Sequence, residues 1–500
     1  MSGEKVILIP IDNRPVTYVF PQMVAAAAGV EPIVPARNLM GSLKAPTDLN
    51  LLSQWLNDAL MKVKPKAIFV CLDSLLYGGL IPSRRSHDSL AEVIERTRAI
   101  ASWKSLGDSK VQVYAQASIM RIPNYNDATE EPDYWDEHGQ KLFQWSTLKH
   151  KNRLDNGRFD KELAEIEKAI PEQVRNDFFN RRQRNFQVNQ QLVEMAKTGL
   201  IDYLVFSQDD TGEYGLNVLE KSELAARAGS FLGKTIAAYA GADEVLEALI
   251  SRWLVKSESN RLPVLLHFSP ERGKNIASNF EGQTIEKTMR TQCQAAGLTV
   301  VHDSSTDQAE LAIIVHTGGE VQGDHVWLPG STDLRSLDTE KIVGNTIKLL
   351  EQSKVPAILC DVAYSNGADP LLIKAVMSNR KLLDKVWAYA GWNTTGNTVG
   401  SALALGIARW FAHRRGYSSD KCFARAQFVR YADDWAYQTQ VRPQLAGRAV
   451  QKQLQELMEP LLQQLKQNMG FDPGEISLRF PWERVFEVEI ALEEIPVAKV

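Results

Sequence analysis

Short, uninterrupted apolar runs recur along this chain and alternate with longer amphipathic stretches. The runs VILIPI, AIFVCL and YLVF lack the alternating polar positions of a strand with one face in water. Strands with this composition are buried on both faces, and parallel sheets covered by helices are their usual setting. The alternation of such strands with helices predicts an α/β fold built from strand–helix units.

Eight segments have the composition of buried strands, and a helix or connection follows each. They are Lys5–Asp12, Pro32–Ala36, Ala67–Asp73, Val111–Met120, Tyr203–Asp209, Thr235–Gly241, Ala357–Ala363 and Val386–Trp392. The helices between them include Leu49–Val63, Ser89–Trp103, Leu216–Ala228 and Asp243–Val255. Eight such units are the number that closes a (β/α)8 barrel, so we predict a barrel. The alternative is a doubly wound parallel sheet, which produces almost the same sequence pattern.

Two long interruptions divide this pattern. Residues 124–199 form a polar, helix-rich insertion, whose charges most simply cover a solvated face; a lid over the strand ends is the alternative. Residues 262–337 have an α/β pattern of their own, which predicts an inserted Rossmann-like subdomain. The first six units then occupy residues 1–261 and the last two residues 338–415. Residues 416–500 form a C-terminal helical region with a closing strand.

The composition is that of a soluble, well-packed protein. Of 500 residues, 44% are hydrophobic and 24% are charged, and the net charge is −4. A chain of this balance has no basic face for nucleic acid or for an anionic membrane surface. No apolar run reaches the ~18 residues of a membrane span, and no leader precedes the first strand. We therefore expect a cytoplasmic protein whose partner is a small molecule or saccharide.

Cysteine and histidine carry no signature of a metal site or a nucleophile. The four cysteines form no CxxC pair, so we expect small buried residues rather than disulfides or zinc ligands. His267 and His316 lack the spacing of paired ligands and are expected to be buried and hydrogen-bonded. The absence of a GxSxG elbow disfavours a serine nucleophile. The leading interpretation therefore includes no cofactor.

Asp209 and Asp210 stand side by side where the fifth predicted strand ends. In either candidate fold, functional groups lie just beyond the carboxyl ends of the strands. Two carboxyl groups this close raise one another's pKa, so one can stay protonated while the other is an anion. That division suits acid/base hydrolysis of a glycosidic bond, and we predict these two residues to be catalytic. A solvated turn or a helix cap is the plainer interpretation.

Other strand ends carry residues that we predict to bind substrate. Asp12 and Arg14, after the first strand, form an ion pair that holds a carboxylate at the pocket mouth. The loop after the eighth strand combines amides, hydroxyls and an aromatic ring, a mixture that suits sugars. The full set is Asp12, Arg14, Asp73, Tyr77, Arg121, Asp361, Asn366, Trp392, Asn393 and Asn397.

Two further acidic pairs have simpler interpretations. Asp243 is placed to cap the helix that follows it, and Glu244 complements the dipole of that helix. Asp433 and Asp434 lie in the C-terminal helical region, where we expect a solvated helix face.

The longer motifs of the chain resemble a known family. IDNRPV, LDSLLYGGLIPSR, SQDDTGEYG, DVAYSNGADP, YAGWNTTGNTVG and FPWERVFEV are similar to a bacterial family classified as a domain of unknown function. At the level of fold, an Asp-Asp pair followed by a later Trp-Asn loop also resembles the substrate-assisted N-acetylhexosaminidases. That resemblance implies that Asp209 steadies the acetamido group of the substrate and that Asp210 protonates the leaving oxygen.

These observations predict a glycosidase-like hydrolase of a sugar-containing small molecule. A carboxylate-bound divalent-metal hydrolase that uses Asp12, Asp73 and Asp209 is one alternative, since hard cations prefer carboxylate oxygens. A non-catalytic binding module, in which the inserted unit closes over a polar ligand, is the other.

Overall fold

The strands of this protein form open parallel sheets. The computed structural model describes residues 3–106, 111–259, 261–301, 308–325, 339–445 and 447–492. The strands are β1 Lys5–Ile9, β2 Glu31–Ile33, β3 Ala67–Cys71, β4 Gln112–Ile119, β5 Tyr203–Gln208, β6 Ile236–Ala240, β7 Leu262–Ser269, β8 Leu298–Val300, β9 Leu311–His316, β10 Gly323–Asp324, β11 Ala357–Asp361, β12 Tyr364–Ser365, β13 Val386–Ala390, β14 Ile476–Arg479 and β15 Glu489–Leu492. A larger sheet has the order β2-β1-β3-β4-β5-β6, and a smaller one the order β13-β11-β9-β7-β8. All eight strands expected from the sequence are present.

The predicted (β/α)8 barrel is wrong, because the eight expected strands are divided between the two sheets. In the larger sheet β1 pairs with both β2 and β3, which leaves β2 and β6 at opposite edges. The last two expected strands, β11 and β13, belong to the smaller sheet, where β7 lies between β8 and β9. Each sheet therefore reverses its strand order once, as doubly wound sheets do, in agreement with the alternative prediction.

Two strands within residues 262–337, β9 and β10, pair with strands that follow this segment in the chain. β9 is hydrogen-bonded to β11 over five residue pairs. The division of the chain into domains stays a prediction, and its boundary at residue 337 lies outside the described residues.

The helices cover both faces of the sheets. They are α1 Phe20–Ala27, α2 Leu49–Val63, α3 Leu72–Leu76, α4 Leu80–Arg85, α5 Leu90–Thr97, α6 Ile100–Leu106, α7 Trp135–Leu154, α8 Asp160–Lys168, α9 Glu172–Lys197, α10 Leu216–Ala228, α11 Val245–Glu258, α12 Ile285–Ala296, α13 Thr339–Gln352, α14 Pro370–Met377, α15 Arg380–Lys385, α16 Thr395–Arg415, α17 Asp420–Arg430 and α18 Gln451–Met469. α2 and α10 have the predicted bounds, whereas the predicted helix Ser89–Trp103 is divided into α5 and α6. Among the described residues, none of these helices has both the length and the apolarity to cross a membrane.

A layer of helices between the two sheets joins them into one core. Phe69 on β3, Ile313 on β9 and Ala404 on α16 belong to the same cluster of buried side chains. Most residues of α16 are buried, and its small side chains allow close approach to the smaller sheet. A Cβ atom at Gly406 would lie 2.5 Å from the Ile358 side chain. The carboxyl edges of both sheets are thereby held in a fixed relation.

The helices of residues 124–199 present only part of their charge to solvent: α8 has no buried residue, as expected, but α9 has buried arginines. Arg182 and Arg184 on α9 are buried. Arg182 donates to the carbonyl oxygen of Met120 at 2.7 Å, and Arg184 donates to that of Ser86 at 2.9 Å. These guanidinium groups attach α9 to the loops beyond the larger sheet.

The expected burial is confirmed for three of the four cysteines and for one of the two histidines named above. Cys71, Cys293 and Cys360 are buried and Cys422 is partly buried; all four thiols are free. His316 is buried, whereas His267 is partly exposed.

A candidate active site at the carboxyl edges of the sheets

Asp209 and Asp210 follow β5 and share one arginine. Nη1 of Arg121 donates to Oδ2 of Asp209 at 3.2 Å and to Oδ2 of Asp210 at 2.8 Å. Arg84 adds a second cation to Asp209, with Nη2 at 2.8 Å from Oδ2. The side chains of the two acids are 26% and 28% exposed, so solvent reaches both. Asp210 has a φ of +37°, a left-handed conformation that is costly for a non-glycine residue.

The environment of Asp210 favours its protonated form. Burial and the neighbouring Asp209 charge raise the pKa of Asp210 to about 7, although Arg121 and Arg84 oppose the shift. A carboxyl group with this pKa can hold a proton at neutral pH and also release it.

The guanidinium groups of Arg84 and Arg121 also bind a second acidic pair, Glu130 and Glu131. Arg121 lies 2.9 Å from Glu130 and 2.8 Å from Glu131, and Arg84 lies within 3.4 Å of both. Burial alone would raise the pKa of Glu130, but these guanidiniums and Arg484 hold it well below its ordinary value. Sequence reasoning missed both glutamates and Arg84, although Arg84 ends the LDSLLYGGLIPSR motif.

The predicted ion pair between Asp12 and Arg14 is present and belongs to a larger buried group. Nε of Arg14 donates to Asp12 at 2.9 Å, Nη2 donates to Asp243 at 2.6 Å, and Nη1 donates to Glu487 at 2.9 Å. Asp243 does not cap α11, which begins at Val245 after Glu244. Its carboxylate turns to Arg14 instead, because a buried cation provides stronger compensation than backbone amides at a helix end.

Asp73 lies at the same edge of the larger sheet, two residues after the end of β3. Its carboxylate is buried and accepts a hydrogen bond from the amide of Ser118 at 2.9 Å. Burial raises the pKa of Asp73 to about 6, and the bond from Ser118 opposes the shift. Tyr77 packs its ring 5.1 Å from the guanidinium of Arg184 on α9, and no hydrogen bond reaches its hydroxyl from the described residues.

The other predicted binding residues lie beyond the smaller sheet, after β11 and β13. Asp361 is fully buried and accepts hydrogen bonds from the amide of Asp369 at 2.7 Å and from Tyr389 at 3.3 Å. Burial raises the pKa of Asp361 to about 7. Asn366 and Asn393 both have left-handed φ values, +60° and +66°, and their loops are joined by a backbone hydrogen bond of 3.1 Å.

Trp392 and Asn397 are buried polar residues with unused hydrogen-bonding atoms. Trp392 is 2% exposed and Asn397 is 5% exposed. Nε1 of Trp392 and Oδ1 of Asn397 have no hydrogen-bond partner among the described residues. Buried polar atoms normally have partners, so these two are available to a ligand or to water.

His316, at the end of β9, is buried and hydrogen-bonded as predicted. Its Nε2 lies 3.0 Å from Asp369 and its Nδ1 lies 2.7 Å from the hydroxyl of Thr346. Burial would lower the pKa of His316, but the bond to Asp369 raises it overall.

A segment near the end of the chain, residues 481–487, connects the two groups of polar residues; we call it the C-terminal strap. Its Trp482 donates to Asn13 Oδ1 at 2.8 Å, and its Phe486 ring lies 5.8 Å from that of Trp392. Arg484 in the strap pairs with Glu130, and Glu487 with Arg14. No local sequence pattern identifies such contacts, because their partners are distant in the sequence.

The expected solvent exposure of Asp433 and Asp434 is wrong. Both are buried in a π-helix, Tyr431–Val441, and pair with Arg430 at 2.9 and 3.3 Å. Asp434 accepts the amide of Gly391 at 2.7 Å and so supports the loop after β13. Burial raises the pKa of Asp434 to about 7.

The three aspartates of the metal alternative do not form a ready ligand set. Within the part of the chain that the structure describes, no group of three or more His, Cys, Asp or Glu side chains is arranged to hold a metal ion. Asp12 is bound to Arg14, Asp73 to a backbone amide, and Asp209 to two arginines.

A cavity of about 1200 Å³ lies away from the acidic pair. Apolar side chains of α1 and β15 form much of its wall, and Arg430 and Asp433 line it as well. Neither Asp209 nor Asp210 lines it, so it does not serve the acidic pair.

Comparison with known proteins supports the resemblance seen in the motifs. Residues 6–491 match the family described as "Protein of unknown function (DUF4127)". No curated protein and no solved structure matches the chain. The resemblance to N-acetylhexosaminidases assumed a barrel, and the acidic pair and the Trp-Asn loop lie instead on different sheets.

Proposed function

We propose that this chain, which belongs to the DUF4127 family, is a glycosidase-like hydrolase of a sugar-containing small molecule. The observation that carries the proposal is the unequal environment of two adjacent carboxyl groups. Asp209 accepts from two guanidinium groups, as an anion does. Asp210, whose pKa is raised to about 7, retains a proton that it can donate.

In the proposed reaction Asp210 protonates the leaving oxygen of the glycosidic bond. Asp209 stabilises the positive charge that develops on the sugar ring as that bond breaks. Arg121, which contacts both carboxylates, holds them in a fixed relation throughout. A water molecule then attacks the anomeric carbon and gives a proton to the carboxylate of Asp210, which restores the acid.

The residues beyond the smaller sheet are proposed to bind the sugar. The free atoms Nε1 of Trp392 and Oδ1 of Asn397 provide a donor and an acceptor that suit hydroxyl groups. The C-terminal strap links this group to the one that contains the acidic pair, since Phe486 contacts Trp392 while Arg484 binds Glu130.

Turnover of a panel of aryl glycosides by the purified protein tests the proposal. We expect Asp210→Asn to lower kcat by about 10²–10⁴-fold, the contribution typical of a general acid. Asp133→Asn, whose side chain is 92% exposed, is the matched control and should retain full activity. An Asp210→Asn variant as active as the wild type would overturn the assignment. Activity that chelation removes and a divalent cation restores would support the metal alternative instead.

A non-catalytic binding module is the second candidate. It is favoured by the buried polar groups at the carboxyl edges of both sheets, where open α/β sheets bind ligands. Saturable thermal stabilisation by a sugar, without turnover of any glycoside, would support this function over hydrolysis.

A further inference from the structure

Four guanidinium groups at the carboxyl edge of the larger sheet are paired with carboxyl groups. The guanidiniums are those of Arg14, Arg84, Arg121 and Arg484, and their acidic partners are Asp12, Glu130, Glu131, Asp209, Asp210, Asp243 and Glu487. Each guanidinium has at least two acidic partners, and acidic groups outnumber basic ones. A negatively charged ligand would therefore find no free cation in this cluster.

The accessible part of the cluster is acidic. Asp209 and Asp210 are each about a quarter exposed, and Glu130 is 19% exposed. Three of the four arginines are nearly buried, and the partly exposed Arg484 is bound to Glu130. A ligand that approaches from solvent thus meets carboxylate oxygens first.

A second, independent observation is that one carboxyl oxygen of Glu487 receives no hydrogen bond from the described residues. Its side chain is 4% exposed, and its Oε1 lies 2.9 Å from Arg14 and 3.9 Å from Arg484. The carboxyl group therefore lies inside the cluster, yet Oε2 has no hydrogen-bond partner among the described residues. A buried carboxylate oxygen without a partner is costly, and a ligand donor would remove that cost.

We propose that the substrate of this site carries a protonated amine, as an amino sugar does. An ammonium group supplies three donors and one positive charge, which match the carboxylates of Asp209 and Glu130 and the free oxygen of Glu487. A uronic acid or a sugar phosphate would meet like charge, and an N-acetyl sugar would bring no charge. The inference rests on the proposed function for the identity of the reaction, but binding alone can test it.

The first experiment measures thermal stabilisation of the wild-type protein by glucosamine, N-acetylglucosamine and glucuronate. We expect glucosamine to raise Tm in a saturable manner and glucuronate to have no effect. The stabilisation should weaken at about 0.5 M NaCl, because salt screens partly exposed charges. Equal stabilisation by glucosamine and N-acetylglucosamine, or none by glucosamine, would overturn the proposal.

The second experiment compares Glu487→Gln with Glu483→Gln, an exposed glutamate of the same strap. We expect Glu487→Gln to weaken glucosamine binding about tenfold, since a charge-assisted hydrogen bond is lost, and Glu483→Gln to leave it unchanged. Circular dichroism establishes that both variants are folded, and a double variant with Glu130→Gln addresses the accessible carboxylate. Unchanged glucosamine binding in that folded double variant would overturn the proposal. Failure of every aryl glycoside to turn over, with amine-selective binding intact, would reject only the hydrolase.

Discussion

Arg14 and Glu487 are 473 residues apart in the sequence, and their side chains are joined by a buried hydrogen bond of 2.9 Å. The same guanidinium binds Asp12 and Asp243, so one cation compensates three carboxyl groups. This contact fastens the C-terminal strap over the edge of the larger sheet. The opposite ends of the chain thus complete one site.

Loss of that cation should destabilise the protein strongly. We expect Arg14→Met to lower the free energy of unfolding by about 3–5 kcal/mol, because it leaves buried carboxyl groups uncompensated. Urea unfolding at neutral pH measures the effect. Glu483→Gln, on the exposed side of the strap, should change it by less than about 0.5 kcal/mol. A small decrease in the free energy of unfolding of Arg14→Met would mean that the buried carboxyl groups do not depend on this cation.

The proposed general acid should produce an alkaline limb in the pH profile of activity. Because Asp210 must be protonated to donate and its pKa is about 7, kcat/KM should fall as pH rises through 7. The slope should be about tenfold per pH unit. Initial rates between pH 5 and 9 measure this limb. It should be absent from the residual activity of Asp210→Asn, and activity that rises above pH 7 would contradict the role.

The charge of Glu130 should influence the position of that limb. Glu130 raises the pKa of Asp210 through like-charge repulsion, and it also shares Arg121 with Asp210. Glu130→Gln should therefore move the limb to lower pH. The control is Asp127→Asn, an exposed residue of the same loop. A shift to higher pH in Glu130→Gln would show that the electrostatic coupling has the opposite sign.

Glu244 should make stability depend on pH without affecting catalysis. It is fully buried, and burial raises its pKa to about 8. Since the folded pKa exceeds the ordinary value of 4.5, stability is fully present below about pH 4.5 and is lost as pH rises to about 8, by about 1.4 kcal/mol per pH unit within that window. We expect Glu244→Gln to lose less stability than the wild type between pH 5.5 and 8.5.

Urea unfolding at the two pH values tests this expectation. The amide retains the shape of the carboxyl group and can still bond to Gln292, which lies 2.8 Å from Glu244. Glu456→Gln, an exposed residue on α18, is the control and should behave as the wild type does. Equal pH dependence in the wild type and Glu244→Gln would assign the effect to other carboxyl groups.

Local patterns in the sequence were sufficient for the elements but not for their arrangement. The eight predicted strands exist because each is an apolar run that must be buried on both faces. The number of strands suggested a barrel, but pairing depends on which strand edges come together in the fold. β1 pairs with β2 on one side and β3 on the other, and the local sequence of none of these strands specifies that pairing. The burial of Asp433 and Asp434 was missed for a similar reason. Arg430 balances their charges within a π-helix, and the periodicity of the sequence does not predict that helix.

The sequence by itself determined that Asp209 and Asp210 lie at a strand end, beside loops carrying Asp12, Asp73 and Arg121. Parallel strands place their carboxyl ends on one edge, so those residues were expected to lie along the same edge of a sheet. Only the tertiary structure decided that Arg121 binds both acids and Arg84 binds Asp209, while Asp210 keeps a raised pKa. It also decided that Glu487 returns to Arg14. Those outcomes depend on burial and on charges brought together from distant segments, and no local pattern specifies either.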